Sequence, residues 1–316
     1  MTPGIRERVV QFGPKQSLVG ILTTDKTAAS ALPHVVVVNA GIVHRVGPNR
    51  LYVDMARSIA ALGYPVLRFD LAGLGDSDSV VGGASLVESA IHDVQQAMDH
   101  LGQTRQATQF LVFGLCSGAN YAMATAFSDP RVVGVMLIDP TVARTKRSLM
   151  VHLARRLRHV GTLRELVLFR HPVFHRSFGR GLSAALSVAE AAEGQSGKRA
   201  GAVTPRAGAA EVRDALEKLI ARGVQMMLVF TGGVNHVYNY HDQLYDLLPG
   251  LDFRDQLKLQ YMPDTDHTVS DAPGRARLFE SVRAWLVASF PAAGAGGVGG
   301  EQAAAGGGDA RVSVPA

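Results

Sequence analysis

A cysteine set between two glycines is the residue in this chain best suited to chemistry. Cys116 stands at the centre of Gly114-Leu-Cys-Ser-Gly118, after an apolar stretch of strand length, 109–113, and before a small apolar stretch typical of a buried helix, 119–127. A strand, a sharp turn and a helix in this order present the residue at the tip of the turn as a nucleophile. The positions two before and two after the tip have almost no room for a side chain, and glycine occupies both. The pattern therefore predicts a reactive thiol.

Two other interpretations of this turn stay open. Ser117 would be the tip if the turn lay one residue later, but Leu115 would then occupy one of the crowded positions and Ala119 the other. Cys116 would also serve as a small buried apolar residue, which is the commonest fate of a free cysteine. At a helix N-terminus, however, the dipole and the free N–H groups favour a thiolate. We therefore expect Cys116 to be the nucleophile.

A thiol nucleophile needs a base, and the base needs a group that orients it. His267 lies in the loop after the last predicted strand, in the chain order expected for such a site. No carboxylate stands in the first turn after Phe230, where the orienting acid usually lies. We place Asp242 first, with Asn235 and Asp139 as alternatives. An asparagine orients the histidine in cysteine–histidine–asparagine sites.

An acyl-transfer site also needs hydrogen-bond donors for the developing oxyanion. The sharp turn around Cys116 is called the elbow below. The backbone N–H of Ser117, at the start of the helix that follows the elbow, is one candidate. The second is the N–H of Ile42, in the turn after the first central strand, where Gly41 allows close approach of the backbone. The expected oxyanion donors are therefore Ile42 and Ser117.

Composition excludes several classes of protein. The 316 residues carry a formal net charge of +5, but only 19% are charged, which is mild for a nucleic-acid-binding protein. No apolar run reaches the length of a transmembrane helix, and the charged N-terminus has no signal-peptide core. The single cysteine excludes an internal disulfide and a multi-cysteine zinc site. A lone thiol that must stay reduced fits the cytoplasm.

The apolar pattern alternates between strands and helices, which predicts an α/β fold with a mostly parallel central sheet flanked by helices. An N-terminal hairpin is predicted from two strands, Arg8–Phe12 and Ser17–Thr23. The further strands are expected at His34–Asn39, Val66–Phe69, 109–113, Val132–Ile138, Gln225–Phe230 and Leu257–Tyr261. The helices are expected at 51–62, 87–101, 119–127, 209–222, 238–248 and 275–289.

The alternation is interrupted after the sixth strand. Residues 1–140 and 206–290 form the predicted core, and 141–205 a helical lid inserted between its two parts. The lid is rich in arginine, which fits equally a solvated face and a surface for an acidic ligand. Residues 291–316 are rich in alanine and glycine, and we expect them to be disordered.

These motifs together resemble the α/β-hydrolase superfamily over about 8–290. The resemblance is carried by Asp70-x-x-Gly73-x-Gly75-x-Ser77, by the elbow around Cys116 and by the late His267. As a dinucleotide fingerprint, the first of these motifs is incomplete. Within the superfamily, 39–50 and 67–77 look like the exosortase-A-associated hydrolases, relatives of the serine aminopeptidase S33 domain. Cysteine stands where these relatives carry serine. Dienelactone hydrolases and polyhydroxyalkanoate synthases are similar in that they also use a cysteine at this position.

The resemblance implies hydrolysis or transfer of an acyl group without a metal or an organic cofactor. We expect a hydrolase that acts on a small-molecule or carrier-bound acyl ester or thioester through an acyl-enzyme on Cys116. Two alternatives stay open, an acyltransferase of the same fold and a non-catalytic binding protein. No pattern in the sequence indicates an oligomeric state.

Overall fold

Eight strands form one sheet in the part of the chain that the structure describes. The structure is a computed structural model, and it describes residues 4–25, 32–79, 85–158 and 209–291. The strands are β1 (Ile5–Phe12), β2 (Leu18–Asp25), β3 (His34–Val38), β4 (Val66–Phe69), β5 (Phe110–Leu115), β6 (Val132–Ile138), β7 (Gln225–Thr231) and β8 (Leu257–Met262). Their order is β1-β2-β4-β3-β5-β6-β7-β8. The β1–β2 and β2–β4 pairs are antiparallel and all other pairs are parallel.

Helices cover both faces of this sheet. They are α1 (Leu51–Ala60), α2 (Leu86–Arg105), α3 (Ser117–Ser128), α4 (Lys146–Arg158), α5 (Ala209–Ala221), α6 (Gln243–Leu247) and α7 (Ala272–Ser289). Helices α1 and α7 supply buried residues to one hydrophobic core, whereas α2, α3 and α5 supply them to the other. The predicted mostly parallel sheet flanked by helices is confirmed.

The unbroken valine run of β3 reflects burial on both faces. Val35 and Val37 belong to the core on the α1 side, and Val36 and Val38 to the core on the α2 side. Successive side chains of a strand point to opposite faces, so a strand without polar alternation needs cover on each. β3 is accordingly a central strand between β4 and β5.

Two helices differ from their predicted bounds by more than three residues at one end. Helix α2 is four residues longer at its C-terminus than the apolar pattern indicates, and it begins at a capping box in which Ser85 and Glu88 bond reciprocally. The helix predicted over 238–248 is wrong in length, since only Gln243–Leu247 is helical. Tyr238 is instead buried against the Phe230 ring, and the Asn239 N–H donates to the Gln243 side chain.

The structure describes only the first part of the predicted lid, residues 141–158, and the lid stays a prediction. Helix α4 begins a few residues after β6, and Arg155 donates to the Asn239 carbonyl oxygen at 3.0 Å. The guanidinium of Arg147 lies 4.4 Å from the centre of the Tyr240 ring. The rest of the predicted lid, from 159 to 205, and the tail from 292 onward lie outside the described residues. Among the helices of the described ranges, none combines the length and apolar character required to span a bilayer.

The parallel strands direct their carboxyl ends to one edge of the sheet. Cys116 follows β5, Asp139 follows β6, and Thr231 is the last residue of β7. His267 lies in the loop after β8, and the turn that begins at Asn39 follows β3. Segments far apart in sequence therefore meet at this edge, which is where ligands bind in open α/β sheets.

Candidate active site

Cys116 lies in a strained turn between β5 and α3. Its φ and ψ are 58° and −119°, a backbone conformation that residues with a side chain rarely adopt. A Cβ atom at Gly114 would overlap the backbone of Gly118, and one at Gly118 would lie 2.8 Å from the Val38 carbonyl oxygen. Glycine is thus required on both sides of the turn, and the Cys116 side chain is exposed at its tip.

Cys116 and His267 shift each other's pKa. The hydrogen bond from His267 is the largest influence on the thiol and lowers its pKa, against the partial burial that opposes ionisation. The N–H of Ser117 lowers this pKa further. The pKa of His267 is raised to about 10, first by its hydrogen bond to Asp139 and next by that to Cys116. Both shifts favour a thiolate that faces an imidazolium.

Asp139 is the carboxylate that bonds to the His267 ring. Its Oδ2 lies 2.7 Å from His267 Nδ1, which leaves the other ring nitrogen for Cys116. The N–H of Thr231 donates to Asp139 Oδ1 and the Thr231 hydroxyl to Oδ2, each at 2.6 Å. The Asp139 side chain is fully buried, so these bonds compensate the burial of its charge. Its own φ is 49°, a second non-glycine residue held in the left-handed region at this edge.

Two glycines let the histidine loop approach β7. A Cβ atom at Gly232 would overlap the Pro263 carbonyl oxygen, and one at Gly233 would lie 2.6 Å from the His267 Cβ. The Gly232 N–H donates to the Thr265 carbonyl oxygen at 2.8 Å. These contacts hold the loop against the end of β7, and from there the His267 ring reaches Asp139, the residue after β6. Glycine at both positions after Thr231 is therefore required for the histidine loop to lie this close to β7.

The other two candidates for the orienting group have different partners. Asp242 pairs with the ring of His241 at 2.8 Å, and both side chains are about 60% exposed. Asn235 accepts a hydrogen bond from the Tyr261 hydroxyl at 2.9 Å. Within the described part of the chain neither bonds to His267, so the structure brings Asp139, and not Asp242 or Asn235, to the histidine.

The turn after β3 approaches the start of α3. The Gly41 N–H donates to Ser117 Oγ at 2.7 Å, so the Ser117 hydroxyl joins the two segments. The turn closes with a bond from the Val43 N–H to the Ala40 carbonyl oxygen, which does not use the N–H of Ile42. The Ile42 side chain is 90% exposed. The two predicted oxyanion donors thus lie on segments that are directly bonded beside Cys116.

Thr231 offers a test of how far the buried carboxylate depends on its donors. Replacing Thr231 by valine keeps the side-chain shape but removes the O–H, and we expect the free energy of unfolding to fall by about 1–3 kcal/mol because a buried charged acceptor loses a partner. Thr231→Ser retains the hydroxyl and serves as the matched control, with a smaller loss. Urea denaturation measures both, and equal stabilities for the two variants would contradict the prediction.

Solved structures with the same fold come from distant bacteria and archaea. An α/β serine hydrolase without a lid from Xanthomonas campestris is 14% identical, with a TM-score of 0.53, and the match covers 92% of this chain and 98% of that one. An esterase from Pyrococcus furiosus is 13% identical, with a TM-score of 0.53 and coverage of 89% and 92%. At such identities the likeness shows the fold, and the predicted α/β-hydrolase fold is confirmed. No curated protein sequence matches the chain significantly.

The sequence itself matches a family model. The model of the serine aminopeptidase S33 family matches residues 33–254, which is more than half of the chain and runs from β3 to the segment before β8. The narrower resemblance to exosortase-associated hydrolases stays a prediction. The chain belongs to the serine aminopeptidase S33 family of α/β hydrolases.

Proposed function

We propose that the protein hydrolyses acyl thioesters, and more slowly esters, through an acyl-enzyme on Cys116. The observation that carries the proposal is the 2.7 Å contact of His267 Nδ1 with the buried Asp139, together with the opposite pKa shifts that Cys116 and His267 cause in each other. A nucleophile, a base and an orienting carboxylate in this sequence of contacts are the parts that acyl transfer needs. Asp139 offers the carboxylate that the first turn after Phe230 lacks, and this supports a catalytic protein over the non-catalytic alternative.

Acylation starts from the Cys116 thiolate and the His267 imidazolium. The Cys116 thiolate attacks the carbonyl carbon, a carbon–sulfur bond forms, and the carbonyl electron pair moves to oxygen. The N–H groups of Ser117 and Ile42 would stabilise that oxyanion. The intermediate then collapses, the bond to the leaving group breaks, and the leaving group takes the proton from the imidazolium of His267.

Deacylation restores the side chains of Cys116 and His267 to their starting protonation states. His267 is now neutral and takes a proton from water, whose oxygen attacks the carbonyl carbon of the acyl-enzyme. The second tetrahedral intermediate expels the Cys116 thiolate as the carbon–sulfur bond breaks, and a carboxylic acid leaves. The proton remains on His267, so the thiolate and the imidazolium are restored. Asp139 stabilises the imidazolium formed in this step without itself becoming protonated.

The chemistry of sulfur favours thioesters as the substrate class. A thiolate that attacks an alkyl ester must expel an alkoxide, which is a much stronger base, so the intermediate reverts unless the leaving oxygen is protonated. His267 must supply that proton, and its hydrogen bond to Asp139, the largest cause that raises its pKa, makes it a weaker acid for that step. A thioester releases a thiolate, which leaves readily with little help. Aryl esters, with good leaving groups, come next.

Mass spectrometry of the acylated protein tests the proposal. Incubation with a short-chain acyl thioester and an acid quench should yield one acyl adduct, located on Cys116, together with turnover that prior alkylation of Cys116 abolishes. A p-nitrophenyl ester should be turned over, and the ethyl ester of the same acid more slowly than either. A folded protein with neither adduct nor turnover on any of the three probes would overturn the proposal, and acyl transfer to an added alcohol in place of free acid would assign a transferase.

A further inference from the structure

The turn that carries Ile42 has few bonds of its own. Within residues 40–47, backbone bonds join the Val43 N–H to Ala40 and the Gly47 N–H to His44. Gly41, Ile42 and His44 are exposed to solvent. An oxyanion donor must be held at its working position before the reaction, because reorganisation during the reaction removes the benefit. The turn therefore needs anchors from outside.

Asp70 provides such an anchor from the end of β4. Its fully buried carboxylate accepts the backbone N–H of Arg45 at 2.6 Å and pairs with the Arg45 guanidinium. On the other side it accepts the Asp76 N–H at 3.1 Å, within its own turn. Arg45 also pairs with the exposed carboxylate of Asp76. One carboxylate thus ties two turns that follow neighbouring strands.

Asn39 reinforces the same connection. Its amide nitrogen donates to the Val43 carbonyl oxygen at 2.9 Å and lies 3.4 Å from Asp70 Oδ1. Its amide oxygen accepts the Leu71 N–H at 2.9 Å. The Asn39 side chain is therefore bonded both to the turn after β3 and to the residue after Asp70.

The motif around Asp70 acquires a physical role from these contacts. A Cβ atom at Gly75 would overlap the Asp70 carboxylate, so glycine there makes room for the buried charge. The Ser77 hydroxyl donates to the Asp70 carbonyl oxygen at 2.6 Å and accepts the Val19 N–H at 3.0 Å. Gly75 and Ser77 thus fix the position of Asp70, which in turn bonds to the turn that carries Ile42.

We propose that Asp70 and Arg45 are positioning residues that hold the Ile42 N–H in place for the oxyanion. This inference rests on the proposed acyl transfer and assigns to that site two residues outside the Cys116, His267 and Asp139 contacts. A purely structural ion pair would stabilise the fold in the same way, so the test compares acyl transfer with a reaction of the same thiolate that forms no oxyanion. Alkylation of Cys116 by iodoacetamide is that comparison, since attack at a saturated carbon forms no oxyanion.

Arg45→Gln is the principal variant, because Arg45 lies partly at the surface and the substitution keeps its backbone N–H. We expect kcat on an acyl thioester to fall by about ten- to a hundredfold, somewhat less than loss of a whole oxyanion donor, with KM within about twofold. The rate of alkylation of Cys116 should stay within about twofold of the wild-type rate. For the folded Asp70→Asn variant we expect a larger fall in kcat, again with an alkylation rate close to that of the wild type.

Arg57→Gln is the matched control. Arg57 also pairs with a carboxylate, that of Glu7 at 2.6 Å, but it lies on α1 against β1 and away from the turn. We expect this variant to keep the wild-type kcat and alkylation rate. Wild-type kcat in Arg45→Gln, or a parallel fall of kcat and alkylation, would overturn the positioning role. Absence of turnover in the wild-type protein would instead count against the proposed function.

Discussion

Replacing Cys116 by alanine should lower kcat on an acyl thioester by about a thousandfold or more, because the atom that forms the acyl-enzyme is lost. His267 and Asp139 remain, but neither has a nucleophile to serve, and general-base attack by water is a much slower route. Steady-state turnover measures the loss, and mass spectrometry should find no acyl adduct on the variant. Turnover within tenfold of the wild-type rate would show that the reaction passes through another residue.

A second substitution at the same position separates loss of function from loss of fold. With φ at 58° and ψ at −119°, Cys116 occupies a conformation that is natural for glycine and strained for alanine. Cys116→Gly should therefore be more stable than Cys116→Ala by about 1 kcal/mol, although both are inactive. Urea denaturation of the two variants measures the difference. An alanine variant at least as stable as the glycine variant would contradict strain at this turn.

The elements around the elbow were predictable because their signals are local. Crowding on either side of a tight turn is predicted from the two positions that flank its tip, and a Cβ atom at Gly114 or at Gly118 would indeed overlap the backbone of Gly118 or of Asn39. The parallel strands were equally visible, since burial on both faces removes polar alternation from runs such as Val35–Val38. Both kinds of signal can be recognised in the sequence without knowledge of long-range contacts.

The orienting group of His267 was not predictable to the same degree. Its identity depends on which strand end the His267 ring reaches, and Asp139 is 128 residues away from His267 in sequence. Asp242 ranked first because it follows β7, but its exposed side chain pairs with His241. A signal was present in Thr231-Gly232-Gly233, where two residues without side chains leave the loop free to settle close to β7.

Replacing Asp139 by asparagine should lower kcat by about 10³–10⁴-fold and shift the ionisation of both partners. The hydrogen bond to Asp139 is the largest cause that raises the pKa of His267, so the pKa should fall from about 10 toward the ordinary 6.5. His267 is then largely neutral at pH 7–8, and the Cys116 thiol loses the cation that lowers its pKa. The direct repulsion between Asp139 and the thiolate is a smaller effect, so its removal does not compensate.

The pH dependence of Cys116 alkylation reads out this shift independently of turnover. In the wild-type protein the thiolate persists below the ordinary thiol pKa, and alkylation should already be fast at neutral pH. In Asp139→Asn the rising limb of the rate should move to higher pH, with slower alkylation at pH 7. Asp242→Asn is the matched control, since that carboxylate is exposed and bonded to His241, and its profile should match the wild type. An unshifted profile in Asp139→Asn, or an equal shift in Asp242→Asn, would mean that another group orients the imidazole.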